Sequence, residues 1–378
     1  MDIGDLTDAV LKDLRRPRTY PAVSLLVPTH RREPGNPEDR VRLRNVLAEA
    51  KRRLGEDPKV ARDVRIDVEK RLDAAAAEVD FLHPAEGLLI LAAPGEHELW
   101  YLPRPVPQRV VIDGTYLTRN LVAARIGEEP YWALVLSDGE TRLWSGGGPH
   151  GGHLEEVTGD GFPVTPAIPD QVDALPGANF ANYGSRPSPY RTERERQYLR
   201  SVDGALGRVL ERDPRPVYLV GLAVSLARFE EVSTHGAAVT ARVERGGAAS
   251  ATAPELRGLL GPAFDECHER RRVDIQRRLV DARGQRRYAA GLDEVWQTVQ
   301  QGRVALLAVE EGYETSARVE DGHLVMAADL GAPGSPDGVH EDIVDELVEA
   351  ALDKGSEVRF VPDGDLAEEG HIASVLRF

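Results

Sequence analysis

At 378 residues the chain is longer than one ordinary core, so two or three domains are expected. It is 41% hydrophobic and 29% charged, a globular composition, and no run of about 18 apolar residues predicts a membrane span. The net charge of −16 argues against a general nucleic-acid coat protein, which would gain affinity by displacing phosphate counterions; RNA contact would have to come from local basic patches.

The opening, MDIGDLTDAVLKDLRR, lacks an apolar core, so no secretory leader is expected. A short helix over residues 5–15 leads in. Ala22–Val27 (AVSLLV) reads as a buried strand closed by Pro28, followed by a loop with His30, Arg31, Arg32, Pro34, Gly35 and Pro37. Two amphipathic helices are predicted over 38–54, with Gly55 as its stop, and over 59–82. Gly87–Ala92 is a second buried strand, 98–102 and 109–113 are shorter strands, and 115–125 is a helix leading out.

A boundary falls at 127–130. Tyr131–Leu136, the dipeptide Asp138-Gly139 and Thr141–Trp144 make a hairpin, and 154–157 extends it. A Pro/Gly-rich segment over 159–189 contains the polar loop GANFANYGSRPSPYR, which holds aromatics and arginines out of helix and sheet. A helix over 192–210, strand 217–221, helix 222–232 and strand 238–243 complete a mixed α/β unit. After a small-residue linker at 246–253, residues 254–301 are predicted helical, broken at Gly261-Pro262 and again at 284–291. Strand 304–309, edge strands at 316–319 and 324–326, a turn-rich loop at 331–338, helix 341–352 and strands 357–361 and 372–378 form a third α/β unit.

Chemistry-bearing motifs are sparse. There is no Gly-Lys-Ser/Thr phosphate loop, no GxGxxG after a strand, no HExxH and no CxxC. His150 and His153 in SGGGPHGGH would need a third ligand to hold a metal, and read as a hairpin tip; neither metal nor cofactor is expected. His30 reads as a solvated loop residue. Cys267 is the sole cysteine, which excludes an internal disulfide, fits the cytosol and reads as an inert thiol. Arginine clusters twice, at 186, 191, 194, 196 and 200, and at 270, 271, 272, 277, 278, 283, 286 and 287. Grouping of this kind in an acidic chain favours phosphate contact, with a salt-bridged helix face as the alternative. The second cluster has few acids interleaved and is the stronger RNA-facing candidate.

The closing HIASVLRF, with the helix and strand before it, resembles the end of archaeal and eukaryotic peptide-chain release factors and of Pelota. VSLLVPTHRR with LRNVLAEAKRRL resembles the start of the release-factor N-terminal domain, and GLLILAAPGEHELWYLPRP with VVIDGTYLTRNLV its end. YWALVLSDGETRLW and VYLVG resemble strands of the RNase-H-like middle domain. The whole is similar to the bacterial release-factor-related (baeRF) proteins. The resemblance implies an α/β chain of three domains: 1–126; an RNase-H-like 127–250; and 251–378, similar to kink-turn-binding ribosomal proteins.

The chain departs from the release factors at both of their functional motifs. Residues 177–191, where Gly-Gly-Gln would stand, contain no Gly-Gly-Gln and no glutamine; Gln171 and Gln197 flank the loop. Where Asn-Ile-Lys-Ser would read the codon the chain has GEDPKV, with Lys59 alone in common. The expectation is a ribosome-associated factor with no catalytic residue, acting in hibernation or rescue in the cytoplasm. Its candidate RNA contacts are Asn182, Tyr183, Arg186, Tyr190, Arg191, Arg194, Arg270, Arg271, Arg272, Arg277 and Arg278, with Lys59 at the codon-site equivalent. Implied partners are ribosomal RNA, tRNA and a translational GTPase. The alternatives are a peptidyl-tRNA hydrolase with a rewritten loop and a protein-binding adaptor.

Overall fold

The continuous apolar runs become strands with both faces covered. In the computed structural model, which describes residues 1–127, 129–147, 154–166, 189–326 and 338–378, β1 (Ala22–Pro28) is buried along nearly its whole length. It pairs antiparallel with β2 (Gly87–Ala93) and β4 (Arg109–Asp113), and β2 with β3 (Glu96–Leu102), giving the order β3-β2-β1-β4. Val23, Leu25 and Val27 meet α2 (Pro37–Glu56) and α3 (Arg62–Ala77) through Val46, Leu54, Val68 and Leu72. Ala22 and Leu26 on the other face share a core with Leu11 and Leu14 of α1 (Asp8–Leu14) and Leu121 of α4 (Arg119–Gly127). Side chains of a strand alternate between faces, so two covered faces erase the polar alternation.

The chain divides into two compact units, one of residues 1–129 and 271–378, the other of residues 130–147 and 154–270. The second unit holds β5 (Tyr131–Val135), β6 (Arg142–Gly146), β7 (Leu154–Glu156), α5 (Pro189–Arg212), β8 (Val217–Gly221), α6 (Ala223–Val232) and β9 (Val239–Glu244). Its sheet runs β7-β6-β5-β8-β9, antiparallel across the first three and parallel across the last three, the mixed sheet expected of an RNase-H-like unit. Leu199, Val202, Leu206 and Val209 of α5 cover one face with Phe229 of α6. The start of α7 (Ala253–Gly284) covers the other through Leu256, Leu260, Ala263 and Cys267.

In the first unit the C-terminal stretch adds β10 (Tyr288–Ala290), α8 (Leu292–Gln300), β11 (Val304–Glu310), β12 (Ala317–Glu320), β13 (His323–Met326), β14 (Val339–His340), α9 (Ile343–Asp353), β15 (Glu357–Val361) and β16 (Ile372–Leu376). Its main sheet is β10-β16-β11-β15, with only β11 and β15 parallel. Helices α8 and α9 cover one face, and Ile275 and Leu279 of α7 the other.

Three expectations are corrected. Helix α7 runs through Gly261-Pro262 without a break; burial of Leu256, Leu260, Ala263 and Cys267 outweighs the roughly 3 kcal/mol that an interior proline costs. Helix α3 is shorter than its periodicity, ending at Ala77, with Asp80 and the residues after it forming a loop into β2. Helix α4 starts at Arg119 and not at 115, because a carboxylate from α9 caps it there.

Candidate functional site

Helix α5 begins at Pro189, whose fixed φ and missing N–H suit a first helical turn. Its apolar residues start only at Tyr198 and Leu199; none of residues 193–197 is fully buried. Arg194 and Arg196 stand exposed there with no carboxylate partner among the described residues. Neighbouring acids are engaged elsewhere: Glu195 with Arg228, and Glu193 at 3.7 Å from Arg200. Asn182, Tyr183 and Arg186 lie outside the described residues, as do His150 and His153; Tyr190 and Arg191 are described by the backbone of the first turn of α5.

The body of α5 is held by a buried acid. Asp203 accepts from Ser233 Oγ at 2.6 Å, from Thr234 N at 3.1 Å and Thr234 Oγ1 at 2.8 Å, and lies 3.0 Å from His235 Nδ1. Burial pushes this carboxyl up, and the hydrogen bonds outweigh it, holding it below the usual range. Gly207 makes room for the His235 ring: a Cβ there would stand 2.6 Å from Cε1. The arrangement fastens the end of α6 onto α5, so that the start of α5 projects from a fixed base.

The α7 arginines are surrounded differently. Arg270 donates to Thr240 O at 3.2 Å and lies 3.4 Å from Cys267 Sγ. Arg271 pairs with Glu129 at 2.6 Å, Arg272 with Asp365 at 2.9 Å and Arg278 with Glu357 at 2.9 Å, while Arg277 pairs with Asp274. Lys59 is exposed in the turn between α2 and α3, its N–H donating to Asp57 Oδ1 at 2.8 Å. His30, read as solvated, is pinned by buried Asp39: Nδ1 lies 2.7 Å from Oδ1 and the backbone N–H donates to Oδ2 at 2.9 Å. Among the described residues no group of three His, Cys, Asp or Glu is placed to hold a metal, and no helix is long and apolar enough to cross a membrane.

The sequence reading missed a buried ionic seam inside the first unit. Asp345 Oδ1 accepts from Arg119 N at 2.6 Å and Thr118 N at 3.1 Å, capping α4 from α9. Asp342 lies 2.8 Å from Arg109 and 3.2 Å from Arg119, and Thr118 Oγ1 is 2.5 Å from Glu349. Burial and the neighbouring Asp342 charge push Asp345 up to about 7; burial and Asp345 push Glu349 up to about 9. The signal was the spacing 342, 345, 349, which sets three acids along one side of α9 beside Val344 and Val348.

No curated protein matches the chain. Residues 130–303 match the family described as bacterial archaeo-eukaryotic release factor family 3, a span from β5 to just past α8. Among solved structures, archaeal translation termination factor aRF1 aligns at 16% identity over 98% of this chain and 96% of its own, with a TM-score of 0.25. Archaeoglobus fulgidus Pelota aligns at 15% over 77% of this chain and 79% of its own, TM-score 0.34. S. cerevisiae Dom34, described as interacting with Hbs1, aligns at 8% over 78% of this chain and 73% of its own, TM-score 0.39. Residues 130–303, just under half of the chain, thus resemble bacterial archaeo-eukaryotic release factor family 3.

Proposed function

We propose that this chain is a ribosome-binding translation factor that takes a release factor's place in the A site without hydrolysing peptidyl-tRNA, in hibernation or rescue. The observation that carries the reading is the family match over 130–303 in a chain with no Gly-Gly-Gln anywhere. A release factor needs a group that places water at the peptidyl-tRNA ester, and residues 177–191 supply no glutamine for it. Removing that group leaves a binding protein. Arg194 and Arg196 at the start of α5 are the proposed phosphate contacts, since a guanidinium without a carboxylate keeps its fork of donors for a ligand. The loop before them, with Asn182, Tyr183, Arg186, Tyr190 and Arg191, is proposed to stack on and contact RNA beside them. By the same family reading, a translational GTPase is the proposed delivery partner and the cytoplasm the proposed compartment.

The test is sedimentation of the full chain with ribosomes from stationary cells at two salt concentrations. Co-sedimentation that falls steeply with salt is expected, because phosphate contacts release counterions. Absence from every ribosomal fraction would end the proposal and favour an adaptor. Release of labelled peptide from a stop-codon complex would overturn its non-catalytic part.

A further inference from the structure

We infer that the outward face of the first half of α2, with the loop that precedes it, is a second RNA-binding surface that grips phosphates. The face comprises Arg40, Val41, Arg44, Asn45 and Ala48, all exposed, and none of them is an acid. Arg40 and Arg44 are four residues apart and so lie side by side, where like charges repel. Arg40 also sits in the first helical turn, where a cation is disfavoured by the helix dipole. Such an arrangement weakens the free fold and is relieved by an anion.

The surrounding acids do not relieve it. Glu38 pairs with Arg42 at 3.2 Å, Glu49 with Arg52 at 2.6 Å, and buried Asp39 is taken by His30 and Arg42. Among the described residues, Arg32 in the loop, Arg40 and Arg44 have no carboxylate partner. The lack of a carboxylate partner at these arginines contrasts with Arg42, Lys51, Arg52 and Arg53 of the same helix, each of which has one.

Arg40 is also ordered in advance. Its guanidinium lies 4.4 Å above the ring of buried Phe81, whose carbonyl accepts from Gly35 N–H in the loop before α2. A guanidinium held over a ring keeps N–H groups for a planar or forked acceptor, at little further entropy cost. Exposed Val41 and the amide of Asn45 beside the arginines suit sugar and base edges. Structured RNA meets these demands: closely spaced phosphates with polar and apolar edges between them. The surface is separate from Lys59, which lies beyond the other end of α2, about 18 Å along the axis from Arg44 to the last helical residue.

The inference extends the proposed ribosome binding, and its test is independent of it. Anisotropy of a fluorescein-labelled RNA hairpin is titrated with the full chain, with Arg40→Glu/Arg44→Glu, and with Arg52→Glu as a same-helix control. The double variant is expected to weaken binding by about tenfold or more and to lower the salt slope by about 2, with the control unchanged. Arg40→Gln/Arg44→Gln, which removes charge without adding acids, repeats the measurement should the reversal unfold the helix. Wild-type failure to bind the hairpin, or equal binding by both double variants, overturns the inference. Ribosome co-sedimentation without hairpin binding would leave the proposed function standing and this surface refuted; hairpin binding lost in the variants without co-sedimentation would do the reverse.

Discussion

Two helices carry clustered arginines, and the structure treats them in opposite ways. At the start of α5, Arg194 and Arg196 face solvent without an acid among the described residues. Along α7, Arg271, Arg272 and Arg278 each meet a carboxylate brought in from elsewhere in the first unit: Glu129, Asp365 and Glu357. By sequence α7 was the stronger RNA candidate because few acids interleave its arginines. In the fold those arginines meet acids that arrive across space. Cluster density along a helix measures charge; availability for a phosphate is set by what the rest of the chain has already placed against it.

The sharpest way to break this comparison is charge reversal on α5. Arg194→Glu/Arg196→Glu is expected to reduce ribosome affinity by about 100-fold and the salt slope by about 2, with the melting temperature unchanged, as read by sedimentation and calorimetry. A variant lower on the same helix gives the contrast. Gly207→Ala puts a Cβ against the His235 ring and disturbs its bond to Asp203, so it is expected to cost about 1–3 kcal/mol in denaturant unfolding. On α7, Arg272→Ala removes the partner of Asp365 and is expected to cost about 1 kcal/mol or less while ribosome binding holds. Ribosome binding lost there without loss of stability would reverse the assignment of the two helices.

The last comparison belongs to the buried seam, whose effect is read in pH dependence. Glu349 has its folded value raised to about 9, above the ordinary carboxyl range, so the folded state holds its proton at pH 7. The stability this contributes is full below the unfolded value and is lost as pH rises through the folded one. Melting temperature should therefore fall between about pH 4.5 and about 9 and level off above that, and Glu349→Gln, which cannot ionise, should lack this fall and melt above wild type at pH 7. Equal slopes for the two proteins between those pH values would show that Glu349 is ionised in the fold.

Local pattern determined much of this protein. The runs AVSLLV, GLLILAA, VYLVG and VALLAV are strands, Asp138-Gly139 turns a hairpin between β5 and β6, and the helices sit where their periodicity placed them, within a few residues at the ends. These are short-range properties, set by side-chain alternation and turn geometry. The family likeness of the middle of the chain was also legible, in the strands that open it.

Three things were decided only by tertiary structure. Pro262 sits inside a helix because that helix has a sheet to cover. Asp342, Asp345 and Glu349 are buried although they are acids, because the N-terminus of α4 and the guanidiniums of Arg109 and Arg119 lie opposite them. The partners of the α7 arginines stand 142 residues away for Arg271 and 79 for Arg278. An ion pair depends on separation in space and on local exposure to water, and the fold fixes both after the sequence has fixed only the charges.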